Sequence, residues 1–115
     1  YRDECIKKYW KKAKNYSILK IKKNSLNNVL SSYKISKEFE LLNIDVEGHE
    51  IDVLKGINFK NIRPKIITIE IHVEKTEQIF KTEIYKLLKK NNYELISQYY
   101  QTSFFKSNEF NIKNI

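Results

Sequence analysis

Four carboxylates stand within eight residues of an otherwise basic chain: Asp45, Glu47, Glu50 and Asp52. They begin where a nearly continuous apolar run, FELLNI (39–44), stops, so this run is predicted to be a strand with Asp45 at its carboxyl end. Ligands of open α/β sheets bind in the crevice outside the carboxyl ends of the strands. The position of Asp45, more than its residue type, therefore predicts a functional site.

A second acid and a histidine follow the next apolar run. Glu70 and His72 stand at the end of KIITIEI (65–71), which is rich in β-branched isoleucine. If the two strands are parallel neighbours, Asp45 and Glu70 face the same crevice. Two carboxylates with a histidine can serve as a general base or bind a divalent ion through oxygen and imidazole nitrogen. The spacing specifies neither role, so both stay open.

Some of these residues also have a purely structural explanation. Glu50 and Asp52 would stabilise the positive end of a helix dipole. Glu47 and His49 are typical of a solvated turn. We therefore favour a structural role for Glu50 and Asp52 and a functional role for Asp45.

A strand–helix–strand unit must position these side chains. Between the two apolar runs, HEIDVLKGI predicts a short helix that ends near Gly56, and Gly48 supplies the left-handed backbone or the close approach that the preceding turn needs. Residues 39–71 thus form a βαβ unit, with Pro64 just ahead of the second strand. Because neither run alternates strictly, we expect both strands to be covered on both faces.

Three elements are predicted before this unit. Residues 4–14 have the spacing of a basic amphipathic helix, which we expect to pack on a sheet and not on a membrane or a partner helix. SILKIK (17–22) alternates like an edge strand. Ser25 is predicted to cap a helix, because apolar residues follow it at helical spacing up to Tyr33.

A helix and a hairpin are predicted after the unit. An apolar stripe indicates a helix over 76–90, which Asn91 and Asn92 end. Residues 93–98 and 101–105 predict two aromatic-rich strands of an antiparallel hairpin. We expect these aromatics to pack in the protein and not to stack on bases. The predicted fold class is α/β: one domain over residues 1–115, with a mostly parallel sheet and a C-terminal antiparallel hairpin.

Composition narrows the function classes. The 115 residues carry 22 basic and 14 acidic side chains, a net charge of +8, but the lysines are spread along the chain, so we expect no specific nucleic-acid role. No apolar run approaches the roughly 18 residues that cross a bilayer. The lone Cys5 argues against a disulfide scaffold, and no signal peptide is visible, so a cytoplasmic location is expected. The chain starts at Tyr1 and has no methionine, so we expect a piece of a longer protein or a processed chain.

The central stretch resembles the FkbM methyltransferase family. In LLNIDVEGHEIDVLKGINFKNIRPKIITIEI, a strand ends in I-D-V-E-G-H-E, a helix with V-L-K-G follows, and a proline precedes a strand that ends in an acid. SLNNVL is similar to the start of a family helix, and LLKKNNYELI is similar to the closing helix and strand. The likeness covers roughly residues 18–106, in the C-terminal half of the family's domain.

The resemblance implies a partial Rossmann-like class I methyltransferase fold, whose complete sheet has seven strands, all parallel but one. It implies S-adenosylmethionine as cofactor and transfer of a methyl group to a hydroxyl of a sugar, lipid or natural product. Asp45 and Glu47 would be the catalytic residues, Glu47 lining the acceptor pocket. Asp45 would also contact the cofactor together with Ile44. His49, Glu70 and His72 would bind the acceptor, and no metal ligand is implied.

Two departures from the family pattern limit what the chain can do alone. Asn27 replaces the usual aspartate of the helix start, and Gly48 and Gly56 are the only glycines, so no strand is followed by a glycine-rich loop. We therefore expect cofactor binding and activity only in a longer parent protein. The alternatives are a metal-dependent nuclease and a non-catalytic remnant or binding module. An exposed sheet edge would also permit self-association.

Overall fold

A computed structural model describes residues 19–111, which fold into an α/β unit with four strands. In chain order the regular elements are α1 (Leu26–Ser32), β1 (Glu38–Ile44), α2 (Glu50–Lys55), β2 (Arg63–Glu70), a 3₁₀ helix (Thr76–Lys81), α3 (Glu83–Lys90), β3 (Tyr93–Tyr99) and β4 (Thr102–Ser107). The predicted βαβ unit, the C-terminal hairpin and the helix after Ser25 are confirmed. The Ser25 hydroxyl accepts a hydrogen bond from the Asn28 N–H at 3.3 Å, as a helix cap should.

The four strands form one mixed sheet in the order β1-β2-β4-β3. β1 and β2 are parallel, whereas β4 is antiparallel to both β2 and β3. The expectation of a mostly parallel sheet is therefore wrong at the level of strand pairing. The reason is that β4 turns back from the hairpin and inserts between β2 and β3, so that it forms two antiparallel ladders.

The core lies against the face of the sheet that carries Ile67 and Ile69 of β2, both fully buried. Leu54 of α2 and Leu88 of α3 are buried in the same cluster. Each such side chain removed from water contributes roughly 1.5–3 kcal/mol, so this apolar cluster is what holds α2 and α3 to the sheet.

β1 lies at the edge of the four-stranded sheet, and its burial differs from the prediction. Ile44 is buried, but the Leu41 side chain is 54% exposed, so β1 is not covered on both faces among the described residues. The Thr68 hydroxyl of β2 donates to the Asn43 Oδ1 of β1 at 2.6 Å, which ties the two strands at their register pair.

Two other predictions are wrong, and one lies outside the described residues. Of the predicted strand over 17–22, only residues 19–22 are described, and these form no strand: Leu19 and Ile21 are more than 80% exposed and pair with no described strand. The predicted helix over 76–90 is divided at Thr82, whose extended backbone (φ −67°, ψ 153°) ends the 3₁₀ helix and whose hydroxyl caps α3. The predicted helix over 4–14 falls outside residues 19–111.

The strand directions define two ends of the sheet. The carboxyl end is where β1 and β2 finish, at Ile44 and Glu70, and the amino end is where they begin, at Glu38 and Arg63. Among the described residues, no helix combines the length and the apolar character that crossing a membrane requires.

Candidate functional site at the carboxyl end of the sheet

The loop from β1 to α2 is shaped by two consecutive left-handed residues. Glu47 has φ 52° and Gly48 has φ 97°, which confirms that Gly48 supplies the unusual backbone that the turn needs. This conformation directs the backbone N–H groups of Val46 and Gly48 toward the first residue of α2. Both donate to the Glu50 Oε1 atom at 3.1 Å.

Glu50 is therefore a buried anion with fixed donors. Its side chain is only 5% exposed. Burial favours the neutral acid and raises the pKa, but the backbone N–H donors of Glu50 itself, Gly48 and Val46, together with the nearby His72, outweigh it and hold the pKa below its ordinary value of 4.5. The carboxylate is thus negatively charged at neutral pH, and it fixes the loop that carries Asp45.

Three carboxylates converge at this end of the sheet. Asp45, Glu50 and Glu70 each place an oxygen such that all three lie within 4.8 Å of one another. The structure therefore brings together Asp45 and Glu70, which the sequence predicted to share a crevice. Oxygen ligands at this spacing could hold a hard divalent cation. One of the three is already engaged, because Glu50 accepts two backbone hydrogen bonds.

Glu70, the last residue of β2, and His72, two residues beyond it, form a pair. The His72 Nε2 atom lies 3.0 Å from Glu70 Oε2, within ion-pair distance, yet this buried oxygen has no hydrogen-bond partner among the described residues. The Glu70 side chain is 21% exposed and that of His72 is 54% exposed. His72 thus covers part of the acid and also faces solvent.

The other predicted site residues are placed differently. His49 Nδ1 lies 3.0 Å from Asp52 Oδ2 within the first turn of α2, so His49 belongs to a local pair and not to the acid cluster. Hydrogen bonding to His49 lowers the pKa of Asp52. Glu47 is exposed on the loop, outside the three-acid cluster. Ile44 is 3% exposed and belongs to the core cluster, and its predicted contact with the cofactor stays a prediction.

Glu50 is the site residue that sequence reasoning assigned to a helix dipole alone. It does stand in the first turn of α2, as that explanation requires. Its additional role is to accept the N–H groups of the preceding turn. The spacing was a signal for this role, because a carboxylate two residues after a left-handed glycine can reach those N–H groups. Burial of the side chain was not visible in the sequence.

This arrangement concentrates negative charge beside an open surface. Asp45 is exposed, and Glu70 is partly exposed next to it. An exposed carboxylate can accept a proton or orient a hydroxyl by accepting its hydrogen bond, and the three acids together attract a cationic group. The geometry therefore suits a reaction in which a hydroxyl is oriented beside a positive centre.

The comparisons with known proteins identify one family. The sequence profile of the methyltransferase FkbM domain matches residues 3–95, more than three quarters of the chain. No curated protein and no solved structure gave a significant match. The matched residues include β1, β2, the loop after β1 and α2, and therefore all three acids.

Proposed function

Because this chain belongs to the FkbM methyltransferase family, we propose that it forms the acceptor side of an S-adenosylmethionine-dependent O-methyltransferase. The observation that carries the proposal is the convergence of Asp45 and Glu70 at the carboxyl ends of two parallel neighbouring strands. Ligands bind at this position in open α/β sheets. The acceptor is a hydroxyl of a sugar, lipid or natural product.

The proposed fold is a part of a Rossmann-like class I sheet. The strand directions support it, because β4 alone runs against the other three strands, as expected for a sheet with a single reversed strand. Within residues 19–111 β1 is an edge strand, and further strands of that sheet would continue from this edge.

The residues of this chain fit one side of the cofactor. Its reactive centre is a sulfonium cation, and the carboxylates of Asp45 and Glu70 provide a negative environment for a positive charge. The methionine and ribose portions need a glycine-rich turn after a strand, and residues 19–111 contain only Gly48 and Gly56. We therefore propose that the cofactor site is completed by sequence that carries such a turn.

The proposed chemistry is methylation of an acceptor hydroxyl. S-adenosylmethionine, when bound, would supply the methyl group, and its sulfide would be the leaving group. Asp45 orients the acceptor hydroxyl and receives its proton, so that the oxygen attacks as a stronger nucleophile. Glu50 holds the loop of Asp45 in place through its two backbone hydrogen bonds. Glu47 on that loop, and Glu70 with His72, contact the acceptor, and precise positioning supplies much of the rate.

The test is methyl transfer by the protein that contains this chain together with the sequence that precedes it in its gene. Asp45→Asn keeps the size of the side chain but removes the proton acceptor, so we expect turnover with a hydroxyl acceptor to fall about a hundredfold or more. Asp52→Asn is the matched control, since Asp52 is an acid of α2 paired with His49. We expect this control to retain activity within about twofold. Equal turnover of Asp45→Asn and the parent protein would remove Asp45 from the mechanism.

A metal-dependent nuclease is the second candidate, and the three-acid cluster is the observation that favours it. It predicts cleavage of nucleic acid that requires magnesium or manganese and is lost in Asp45→Asn. Absence of cleavage at any metal concentration would dismiss it. The methyl-transfer assay also distinguishes a non-catalytic remnant or binding module. Such a protein would show no turnover, whether or not it binds the cofactor.

The remaining proposals concern partners and location. We propose that the partner is a small hydroxyl-bearing molecule, free or part of a glycan or lipid, and that the protein binds no specific nucleic acid. We also propose that the chain self-associates through the β1 edge where no further strand covers it. We also propose a cytoplasmic location.

A further inference from the structure

A pocket lies at the amino end of the sheet, far from the three acids. Its volume is about 470 Å³. Lys37 and Glu38 line it at the start of β1, Arg63 at the start of β2 and Ser107 at the end of β4. It is therefore separated from the carboxyl end by the length of the strands, and its function is independent of the proposed methyl transfer.

Positive charge dominates this pocket. Five cations and two carboxylates line it, an excess of three positive charges. The carboxylates belong to Glu38 and Glu109. The cations are Lys37, Lys60, Arg63, Lys65 and Lys90. Lysines that are dispersed along the sequence are thus gathered in space by the fold.

Arg63 is the rigid part of the pocket. Its guanidinium donates to the Asn91 carbonyl at 2.8 Å and to the Ser107 hydroxyl at 3.1 Å, and it pairs with Glu109. The group also lies over the Tyr93 ring, 4.8 Å from its centroid. Its side chain is 12% exposed, so the orientation of the cation is set before any ligand binds.

Three of the other cations have no hydrogen-bond or ion-pair partner within residues 19–111, although Lys37 lies close enough to Glu109 to help lower the pKa of that carboxyl. Lys65 pairs with Glu40 at 3.0 Å, but no hydrogen bond or ion pair engages the ammonium groups of Lys37, Lys60 and Lys90 in this part of the chain. Exposed lysines that surround a fixed arginine can close on an anion with several negative oxygens. Phosphate has this chemistry, and it binds both arginine and lysine well.

We propose that the amino-end pocket binds the phosphate group of a small molecule, held by Lys37, Lys60 and Lys90 above Arg63. Glu109 occupies the arginine in the absence of such an anion. This carboxylate is 64% exposed and can leave the pocket when phosphate takes its place. A volume of about 470 Å³ is in the range of small-molecule sites, and Phe59 and Phe110 supply an apolar wall for the organic part of a phosphate ester.

The test is a titration of the full chain with inorganic pyrophosphate, followed by amide NMR shifts. We expect the shifts to concentrate on the pocket residues. The triple variant Lys37→Gln, Lys60→Gln and Lys90→Gln should bind about tenfold more weakly, since three contacts of the strength of exposed ion pairs are lost. The matched control carries Lys22→Gln, Lys81→Gln and Lys86→Gln, which remove the same charge from exposed positions outside the pocket. This control should stay within about twofold, because distant exposed charges are screened.

An equal loss of affinity in both triple variants, or shifts spread over the whole surface, would overturn the proposal in favour of general charge attraction. Glu109→Gln gives an independent check, because it removes the competing carboxylate. Binding of pyrophosphate should then become several-fold tighter, whereas unchanged or weaker binding contradicts the site. Phenyl phosphate and inorganic phosphate distinguish the source: tighter binding of the first indicates an ester, and equal binding indicates free phosphate.

Discussion

The two ends of the sheet carry opposite charge and are built in opposite ways. At the carboxyl end, Glu50 accepts hydrogen bonds from groups only two and four residues away. At the amino end, Arg63 contacts Asn91, Ser107 and Glu109, which are 28, 44 and 46 residues away. One end is therefore fixed by its local sequence, and the other exists only when the whole sheet has formed. Substitutions at the amino end should accordingly report on global folding, whereas those at the carboxyl end report on a loop and on chemistry.

Arg63→Ala should produce the largest loss of stability. It removes the Arg63 donor to the Asn91 carbonyl and one of the two donors to the buried Ser107 hydroxyl, and it uncovers the Tyr93 ring. We expect the free energy of unfolding to fall by about 3 kcal/mol. Urea denaturation measures this loss. Arg63→Lys keeps the charge but not the planar guanidinium, so its free energy of unfolding should lie between those of the parent protein and Arg63→Ala. An Arg63→Ala protein as stable as the parent would show that the long-range contacts do not hold the amino end.

Alkaline pH should also act on the amino end. The Tyr93 side chain is fully buried and its hydroxyl donates to the Pro64 carbonyl at 2.8 Å. Burial raises the pKa of Tyr93 to about 12, although Arg63 opposes the rise. Because the folded pKa lies above that of the unfolded chain, the stabilisation is complete below pH 10 and is lost as the pH rises through about 12. The shift corresponds to about 2–3 kcal/mol.

Ultraviolet absorbance of tyrosinate during a pH titration measures this effect. The late-ionising fraction should disappear in Tyr93→Phe, while Tyr99→Phe, which changes an exposed tyrosine of the same strand, should leave it in place. Ionisation of all tyrosines at a common pH near 10 would contradict the burial of Tyr93.

Acid should act on the carboxyl end through Glu50. Its folded pKa is lowered, so its contribution to stability is present above the ordinary value of 4.5 and is lost as the pH falls through the folded pKa. Glu50→Gln should cost about 1–2 kcal/mol at neutral pH, because the two N–H groups lose a charged acceptor. Its stability should change less between about pH 5 and pH 3.

Glu109 adds acid dependence of the same sign, because Arg63 and then Ser107 lower its pKa. Glu109→Gln therefore serves as the control, because it removes only the part of the acid-dependent stability that comes from the amino end. Parallel pH–stability curves for Glu50→Gln and the parent protein would argue against an ionised, hydrogen-bonded Glu50.

Gly48→Ala should have the smallest effect. Alanine in the left-handed region costs about 1 kcal/mol, and the loop carrying Asp45 would bear this strain. Gly56→Ala is the comparison, since Gly56 has φ −79° and no left-handed penalty arises there, although the added Cβ would lie 3.3 Å from the Val53 carbonyl oxygen and adds a small cost of its own. Thermal unfolding of both variants measures the difference. A loss at Gly48 no greater than that at Gly56 would show that the turn does not depend on glycine.

The difference between the two ends also explains what the sequence could predict. The strand that ends just before Asp45, the glycine of the turn and the helix after it depend on neighbouring residues, so the local sequence pattern was sufficient to predict them. The division of the predicted helix at Thr82 was missed because the apolar stripe continues across it, although the threonine caps α3 with its own hydroxyl. SILKIK alternates like a strand, but alternation does not supply a pairing partner.

Long-range features left no comparable signal. The insertion of β4 between β2 and β3 depends on the pairing of Glu70 with Thr102, which are far apart in sequence. Arg63 and the lysines of the amino-end pocket come from separate segments, so their convergence could not be inferred from a dispersed charge pattern. Glu50 lies between the local and the long-range features. Its position at the start of a helix could be predicted from the sequence, whereas its burial depends on the folded structure.

The central claim is that methyl transfer takes place at the carboxyl end of this sheet. A crystal structure of the protein encoded by the whole gene, bound to S-adenosylhomocysteine, tests it most directly. We predict that the sulfur atom lies beside Asp45, on the side where Glu70 completes the acid cluster. A ligand seated at the amino end beside Arg63, or anywhere that leaves Asp45 out of reach of the sulfur, would contradict the account.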